Sequence, residues 1–373
     1  MVAHCYIADV KCLLRLIVIP VLVLALLKVL PTEAGQQRVW GYVAWWLPDG
    51  WKTVALQNFE RLVFFQIEIG TDGTLDDRHG WPEQWTALSA AAANSEVALD
   101  LGLTLQEPAT FNTLFSSGVA TQRLLADALA LASHPGVSGL HLDVEVNANA
   151  GLRREAITRF RDFVVKLEKG LRQQLPPRAL TVFLPFGNFA AIYDAPTLAK
   201  VDHAVLQGYD AHFLDSTQAG PVSPLAGDDY LTWEKMLGQA DKLGLSRAKM
   251  VMSFPLYGYE WTVPSCTPRG TSVGSGESTT LLPMDAAILP LLQINISDRV
   301  QRHGAQVEAA SGSLYYRFVG TSGVCRVGWF EDTFSLAAKS SWIEQQNLHG
   351  IAFFPLGYDQ GVLSGIQLNR WRR

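Results

Sequence analysis

Three side chains capable of acid–base chemistry alternate along one apolar stretch of the chain. His141, Asp143 and Glu145 are separated by single apolar residues within the run Val137–Val146. Because side chains alternate along a strand, we expect the three to lie on one face. Two carboxyl groups held within a few ångströms cannot ionise independently, so one keeps a proton near neutral pH and can act as a general acid. For an Asp-x-Glu pattern alone, a solvated or ion-paired strand end is the alternative.

The rest of the chain predicts a fold that places these residues at the end of a strand. Short apolar runs alternate with helical stretches such as Arg153–Leu175, whose apolar residues recur at three- and four-residue spacings. Alternating units of this kind favour an α/β protein with a parallel sheet, and eight units predict a (β/α)8 TIM barrel. An open doubly wound sheet is the alternative, although no Gly-x-Gly-x-x-Gly motif opens a helix. The predicted strands are Val39–Trp45, Arg61–Ile67, Val97–Leu105, Val137–Val146, Ala179–Pro185, Ala204–Tyr209, Met250–Pro255 and Gly350–Phe354.

A longer polar segment between the seventh strand and the last helix predicts a small inserted domain. It opens with the Gly/Ser/Thr-rich stretch Thr262–Thr280 and contains short strand-like runs. We assign residues 263–329 to an α+β insertion and residues 37–262 and 330–373 to the barrel. The insertion contains Cys266 and Cys325. In an oxidising compartment a disulfide between them is expected, and two buried free thiols are the alternative.

Residues 1–36 predict a segment that directs export. Leu16–Leu27 is an uninterrupted apolar run preceded by Lys11 and Arg15. At about 12 residues it is short for a membrane span and suits the core of a signal peptide. Cleavage after Ala34 is one outcome, and an uncleaved signal anchor is the other. Both predict an exported protein, periplasmic or extracellular, that contacts a membrane only through this segment.

Composition and charge narrow the range of partners. The 373 residues are 48% hydrophobic and carry a net charge of −5, which is typical of a globular protein and excludes a strongly basic nucleic-acid-binding surface. No spacing of cysteine and histidine indicates a metal site, so we expect neither a metal nor another cofactor. We expect a monomer.

The order of the motifs along the chain resembles family 18 of the glycoside hydrolases, the chitinase-type family. Ser138–Glu145 aligns with the family's Asp-Gly-x-Asp-x-Asp-x-Glu strand, and Tyr209–Pro224 resembles a bacterial branch with spore-cortex-lytic and other cell-wall-associated members. Further matches in the family's order are Trp40–Tyr42, Gln207–Asp210, Phe254–Trp261, Asp332–Ser335 and Gly350–Asp359.

The resemblance implies a substrate-assisted retaining mechanism on polymers of N-acetylglucosamine. In this family the substrate's acetamido oxygen attacks the anomeric carbon, and no enzyme carboxylate is the nucleophile. Glu145 would then be the general acid and base, Asp143 would orient the acetamide, and Tyr209 would bind its oxygen. Substrate binding is further implied for His141, Asp210, Tyr42, Trp45, Tyr257, Trp261 and Phe354. For each aromatic residue, ordinary core packing is the alternative to stacking on a sugar.

The chain departs from the family pattern at three informative positions. Ser138 and His141 replace two acidic residues of the fourth strand, and Phe354 replaces the tryptophan that most members place beneath the sugar. A neutral His141 is expected to hydrogen-bond Asp143 and to shift the pH optimum. The alternative to a hydrolase is therefore an inactive, chitinase-like lectin. A barrel enzyme unrelated to this family is a third interpretation, but it leaves the ordered matches unexplained.

Overall fold

The structure is a computed structural model that describes residues 37–282, 284, 294–321 and 323–371. The predicted leader, with its cleavage site, lies outside the described residues. Within the described ranges, no helix is both long and apolar enough to cross a membrane.

Strands and helices alternate along most of the described chain. The strands are β1 (Arg38–Ala44), β2 (Arg61–Glu68), β3 (Ala98–Leu105), β4 (Gly139–Val144), β5 (Ala179–Leu184), β6 (His203–Leu206), β7 (Met250–Pro255), β8 (Tyr257–Thr262), β9 (Glu277–Thr280), β10 (Ile294–Asn295), β11 (Gln306–Val307), β12 (Leu314–Val319), β13 (Cys325–Phe330) and β14 (Gly350–Phe354). The α-helices are α1 (Thr86–Asn94), α2 (Pro108–Ser116), α3 (Gly118–Ala132), α4 (Arg154–Arg172), α5 (Ala195–Leu198), α6 (Trp233–Lys242), α7 (Ile296–His303), α8 (Thr333–Gln345) and α9 (Val362–Arg370).

Eight parallel strands close into a barrel, which confirms the predicted (β/α)8 fold. Around the barrel the neighbours are β1, β14, β7, β6, β5, β4, β3 and β2. In this register Asp143 on β4 pairs with Thr104 on β3, and His141 pairs with Thr181 on β5. The carboxyl ends of the parallel strands therefore meet at one rim, where barrel enzymes place their active sites.

The alternation predicted along β4 is present. His141 and Asp143 are buried. The alternating residues Leu140, Leu142 and Val144 belong to the core that lies under the helices. The barrel interior holds a separate aromatic and aliphatic cluster. A polar side chain on this inner side of a closed barrel needs a hydrogen-bond partner or a functional reason. The buried members of the interior cluster are Trp40, Tyr42, Val63, Phe183, Val205, Val251 and Ala352.

One predicted boundary of the barrel needs correction, and one helix was missed. The sixth strand ends at Leu206, so Tyr209 lies in the loop after it rather than in the strand. Helix α2 was not predicted. Its first turn contains a proline, and it buries Phe111, Leu114 and Phe115, an i, i+3, i+4 pattern that identifies a helix face.

The insertion forms a six-stranded sheet in the order β10, β9, β8, β13, β12 and β11. The sheet begins at Tyr257, with only Leu256 separating it from the barrel strand β7, so it starts six residues before the predicted boundary at 263. A disulfide joins Cys266 to Cys325, whose Cα atoms are 5.3 Å apart. It ties the loop after β8 to the start of β13. The described residues between 37 and 371 belong to one compact unit that includes both the barrel and this sheet.

Candidate active site

Two carboxyl groups meet at the carboxyl end of β4. Glu145 directly follows the strand, and its backbone N–H donates to the Leu105 carbonyl at 2.9 Å. The Asp143 and Glu145 side chains lie within hydrogen-bonding reach of each other, a contact that requires a proton on one of the two carboxyl groups. Asp143 is buried and Glu145 is half-buried. One carboxyl group is therefore enclosed by the barrel while the other reaches the rim.

Both carboxyl groups of this pair bind protons more tightly than ordinary ones. Burial raises the pKa of Asp143 well above its usual range, and the adjacent Glu145 adds to that rise. Burial also raises the pKa of Glu145 to about 7, against the opposing hydrogen bond from Gln106. The Gln106 amide nitrogen donates to Glu145 Oε1 at 3.2 Å. The pair consequently holds at least one proton at neutral pH, as a general acid requires.

His141 is fully buried beneath the pair, and both of its ring nitrogens have partners. Nε2 lies 3.0 Å from the Tyr42 hydroxyl, and Nδ1 lies 2.9 Å from Thr181 Oγ1. The prediction that His141 hydrogen-bonds Asp143 is therefore wrong. Asp143 Oδ1 has no hydrogen-bond partner among the described residues. Burial, with a smaller contribution from Arg61, lowers the pKa of His141 to about 3, so the ring is neutral.

The loop after β6 brings Tyr209 and Asp210 to the same rim. Asp210 has a left-handed backbone with φ of +60°. Its Oδ1 accepts hydrogen bonds from the Tyr257 hydroxyl at 2.9 Å and the Tyr259 hydroxyl at 3.2 Å. Burial raises the pKa of Asp210 to about 6, while these two hydroxyls oppose the rise. Two tyrosines of the insertion sheet thus hold a carboxyl group of the barrel loop.

Aromatic rings surround Phe354 at the end of β14. Tyr209 lies almost parallel to it with ring centroids 5.6 Å apart, and Tyr42 and Phe65 meet it edge-on at 5.5 and 5.4 Å. Phe354 keeps part of its surface exposed. Phe354 therefore lies at the centre of an aromatic cluster at the carboxyl end of the barrel strands.

Only some of the predicted sugar platforms present a face. Trp45 is 39% exposed and stacks on His79 with ring centroids 4.1 Å apart. Tyr42 and Tyr257 are buried and contribute hydroxyl groups instead of ring faces. Trp261 has no exposed surface, and its indole N–H donates to the Leu214 carbonyl in the loop after β6. It cannot stack on a sugar, so that prediction is wrong.

Several residues of the site escaped the sequence analysis. Trp46 donates its indole N–H to the Tyr358 hydroxyl at 3.0 Å, and its ring meets Phe354 edge-on. Tyr259 follows Tyr257 by two residues, so in a strand the two side chains lie on the same face. That spacing could have identified Tyr259 as the second hydrogen-bond donor to Asp210. Gln106 directly follows β3 but carries no recognisable motif.

A polar cavity lies beside Gln106, the hydrogen-bond donor to Glu145. It has a volume of about 210 Å³ and is lined in part by Gln66, Glu68, Thr104 and Gln106.

Among the described residues, one group of side chains has metal-ligand spacing: Glu68, Asp77 and His79, with ligand atoms within 4.8 Å of one another. Both carboxylates are exposed, and His79 directs Nε2 to Glu68 and Nδ1 to Asp77, so its nitrogens face different acids.

Comparison with known proteins agrees with the barrel fold. The family model described as glycosyl hydrolases family 18 matches residues 38–359. A cortical fragment-lytic enzyme of Bacillus anthracis is 24% identical over 308 residues, which cover 79% of this chain and 64% of that enzyme. The chain therefore spans less than two thirds of the length of this relative.

Solved structures show the same fold in proteins of different activity. A GH18 chitinase from Cycas revoluta, crystallised with (GlcNAc)3, has a TM-score of 0.73 at 20% identity, covering 90% of this chain and 99% of that one. A chitinase-like agglutinin from Robinia pseudoacacia has a TM-score of 0.70 at 16% identity, covering 89% and 99%. At these identities the likeness establishes the fold, and the side chains must decide the chemistry.

Proposed function

The chain belongs to family 18 of the glycosyl hydrolases, and on that basis we propose that it cleaves β-linked polysaccharides containing N-acetylglucosamine, of the chitin or peptidoglycan kind. The observation that carries the proposal is the placement of two adjacent carboxyl groups at the carboxyl end of β4, where Asp143 is buried and Glu145 accepts a hydrogen bond from Gln106. A binding protein has no need for a carboxyl group with a pKa of about 7 at the rim of its cleft.

Glu145 supplies the proton that the reaction needs. The acetamido oxygen of the substrate forms a bond to the anomeric carbon while the bond to the leaving oxygen breaks, and Glu145 protonates that oxygen. The product of this step is a cyclic oxazolinium ion. The Glu145 carboxylate then takes a proton from water, the water oxygen bonds to the anomeric carbon, and the acetamide is released. The configuration at the anomeric carbon is retained, and Glu145 ends protonated.

Asp143 holds the acetamide and balances the charge of the intermediate. When the acetamide N–H donates to Asp143, the Asp143 carboxylate is favoured and its proton moves to Glu145. His141 is a poor alternative recipient, because both of its nitrogens are occupied. The proton thus stays within the carboxyl pair. The Asp143 carboxylate then stabilises the positive oxazolinium ring.

The remaining residues of the rim position the sugar. In this proposal Tyr209 donates its hydroxyl to the acetamide oxygen, and Asp210, which accepts hydrogen bonds from two tyrosines, also accepts from a sugar hydroxyl. Phe354 and Trp45 offer aromatic surface to pyranose rings. Action outside the cytosol is part of the proposal, and the Cys266–Cys325 disulfide supports it.

The proposal is tested by incubating the full chain with N-acetylglucosamine oligomers and with purified peptidoglycan fragments. Shorter products, detected by mass spectrometry, and a first-formed β-anomer, detected by proton NMR, are expected. An α-anomer would contradict the substrate-assisted route. Intact oligomers that the protein nevertheless retains in a pull-down would support a lectin, which the replacements at Ser138 and His141 make the second candidate.

Asp143→Asn is expected to change the shape of the pH profile as well as the rate. In the wild type, kcat/KM requires one proton on the pair and should be bell-shaped, with two limbs that belong to the pair. Asparagine does not titrate, so the variant should keep only the alkaline limb, along which Glu145 loses its proton. Initial rates on one oligomer between pH 4 and 9 measure this. Two limbs in the variant would mean that another group supplies the acid limb.

A further inference from the structure

A line of hydrogen bonds crosses the barrel interior below the carboxyl pair and joins five neighbouring strands. Arg61 on β2 contacts Asp100 on β3, and Asp100 Oδ2 lies 3.2 Å from Thr181 Oγ1 on β5. Thr181 Oγ1 is 2.9 Å from His141 Nδ1 on β4, and His141 Nε2 is 3.0 Å from the Tyr42 hydroxyl on β1.

The charged end of the line is built to keep Asp100 ionised. Asp100 is fully buried, and Arg61 is its cationic partner. Burial raises the pKa of Asp100, but the Arg61 guanidinium and the Thr181 hydroxyl both oppose that rise by stabilising the carboxylate. The Arg61 guanidinium also lies 5.2 Å from the centre of the Trp40 ring, which restricts where the cation can go.

An ionised Asp100 sets the direction of every hydrogen bond that follows. A carboxylate only accepts, so Thr181 donates its single hydroxyl proton to Asp100. The Leu140 carbonyl is a weaker competitor for that proton, since it is uncharged and lies at 3.5 Å. Thr181 Oγ1 must then accept from His141 Nδ1–H. His141 Nε2 carries the lone pair and accepts the proton of the Tyr42 hydroxyl.

We propose that Arg61, Asp100 and Thr181 are positioning residues that fix His141 as the Nδ1-protonated tautomer and thereby turn the Tyr42 hydroxyl toward His141. The catalytic consequence rests on the proposed function, but the tautomer does not. Because the Tyr42 hydroxyl donates its proton to His141, the Tyr42 oxygen can only accept hydrogen bonds from the carboxyl groups above it. Asp143 and Glu145 are both close enough to act on the Tyr42 hydroxyl electrostatically.

This arrangement explains how the site works without the acidic residue that the family places at position 141. A carboxyl group there could take a proton from Asp143, whereas a neutral imidazole with both nitrogens engaged does not. Asp100 on the neighbouring strand β3 supplies a buried negative charge instead. This charge lies farther from Asp143, and the Arg61 guanidinium balances it. The mobile proton is then confined to Asp143 and Glu145.

Nitrogen-15 NMR of the histidine rings in the full chain tests the tautomer directly. At pH 7 the wild-type His141 ring is expected to be neutral, with a proton on Nδ1 and a bare Nε2, and its signals are assigned by their loss in His141→Gln. In Thr181→Val this pattern should be lost or reversed, and Thr181→Ser should restore it. A wild-type His141 with its proton on Nε2, or with two protons, overturns the proposal whether or not any glycan is cleaved.

Kinetics on an N-acetylglucosamine oligomer test the catalytic consequence. Thr181→Val is expected to lower kcat by about 10-fold or more with little change in KM, because it disturbs groups below the reacting atoms rather than the sugar contacts. Thr181→Ser should recover most of the loss. The control is Thr279→Val, which also removes a buried hydroxyl, here one with no hydrogen-bond partner among the described residues. Equal losses in Thr181→Val and Thr181→Ser, with the tautomer unchanged, would contradict a positioning role.

Discussion

Glu145→Gln is expected to lower kcat by about 10³-fold while leaving glycan binding intact, because removal of a general acid costs 10²- to 10⁴-fold. Glutamine has nearly the same shape as glutamate, and an amide can still face Gln106 and Asp143. What it lacks is a proton that it can give to the leaving oxygen. The change therefore removes an interaction made in the transition state rather than in the bound ground state.

Two measurements make this prediction specific. Turnover of an N-acetylglucosamine oligomer is followed by mass spectrometry, and affinity for the same oligomer is measured by calorimetry. Glu155→Gln makes the same chemical change on an exposed position of α4 and should leave both quantities unchanged. If Glu145→Gln weakened binding and the wild type showed no turnover, the pair would be part of a lectin site.

The pH dependence of stability is expected to report the buried His141. Its pKa falls from 6.5 to about 3 in the folded protein, since burial penalises the charged ring. Between pH 6.5 and 3 the unfolded chain therefore binds a proton on this histidine that the folded chain does not bind. This contribution to stability is fully present above pH 6.5 and is lost as the pH falls toward 3. In that window the free energy of unfolding changes by up to about 1.4 kcal/mol per pH unit, so the loss between pH 6.5 and 4.5 is about 2 kcal/mol.

Comparison with His141→Asn isolates this term. Glu145 and Asp210 have raised pKa values and act in the opposite sense, but they are common to both proteins. The difference in unfolding free energy between wild type and variant should fall by about 2 kcal/mol over the same window, as measured by denaturant titration at several pH values. Ser253→Ala, a buried polar position without a titrating group, should give a difference that stays flat with pH. A flat difference for His141→Asn would mean that the ring is already charged, or readily charged, in the fold.

Periodicity was sufficient to predict the barrel because the fold repeats one simple unit. Runs such as Met250–Pro255 and Gly350–Phe354 are buried on both faces, and their bounds agree with the observed strands. The start of the insertion was predicted wrongly because Tyr257–Thr262 continues the apolar, aromatic character of β7. Composition does not change where the chain leaves one sheet and enters another, so only geometry marks that boundary.

Candidate site residues could be identified from the sequence where they lie on one strand. Those that come together from several strands could not. His141, Asp143 and Glu145 share one strand end, and their alternation is visible in the sequence. Asp100 and Thr181 are distant along the chain, and each reads as a single polar residue in an apolar strand. The register between β3, β4 and β5 brings them to His141, and that register depends on closure of the barrel. Trp261 failed as a sugar platform for a related reason, since an aromatic type does not reveal which side of a strand faces the cleft.

The two tyrosines that hold Asp210 have a consequence for anyone who would shorten or recombine this protein. Tyr257 and Tyr259 belong to the insertion sheet, yet the carboxyl group they hold belongs to a barrel loop. Trimming the chain to a minimal barrel would leave that carboxyl group without both donors, and grafting in a foreign sheet would succeed only where the graft brought matching hydroxyls. The insertion sheet therefore supplies contacts to the carboxyl-end rim of the barrel and cannot be exchanged independently of that rim.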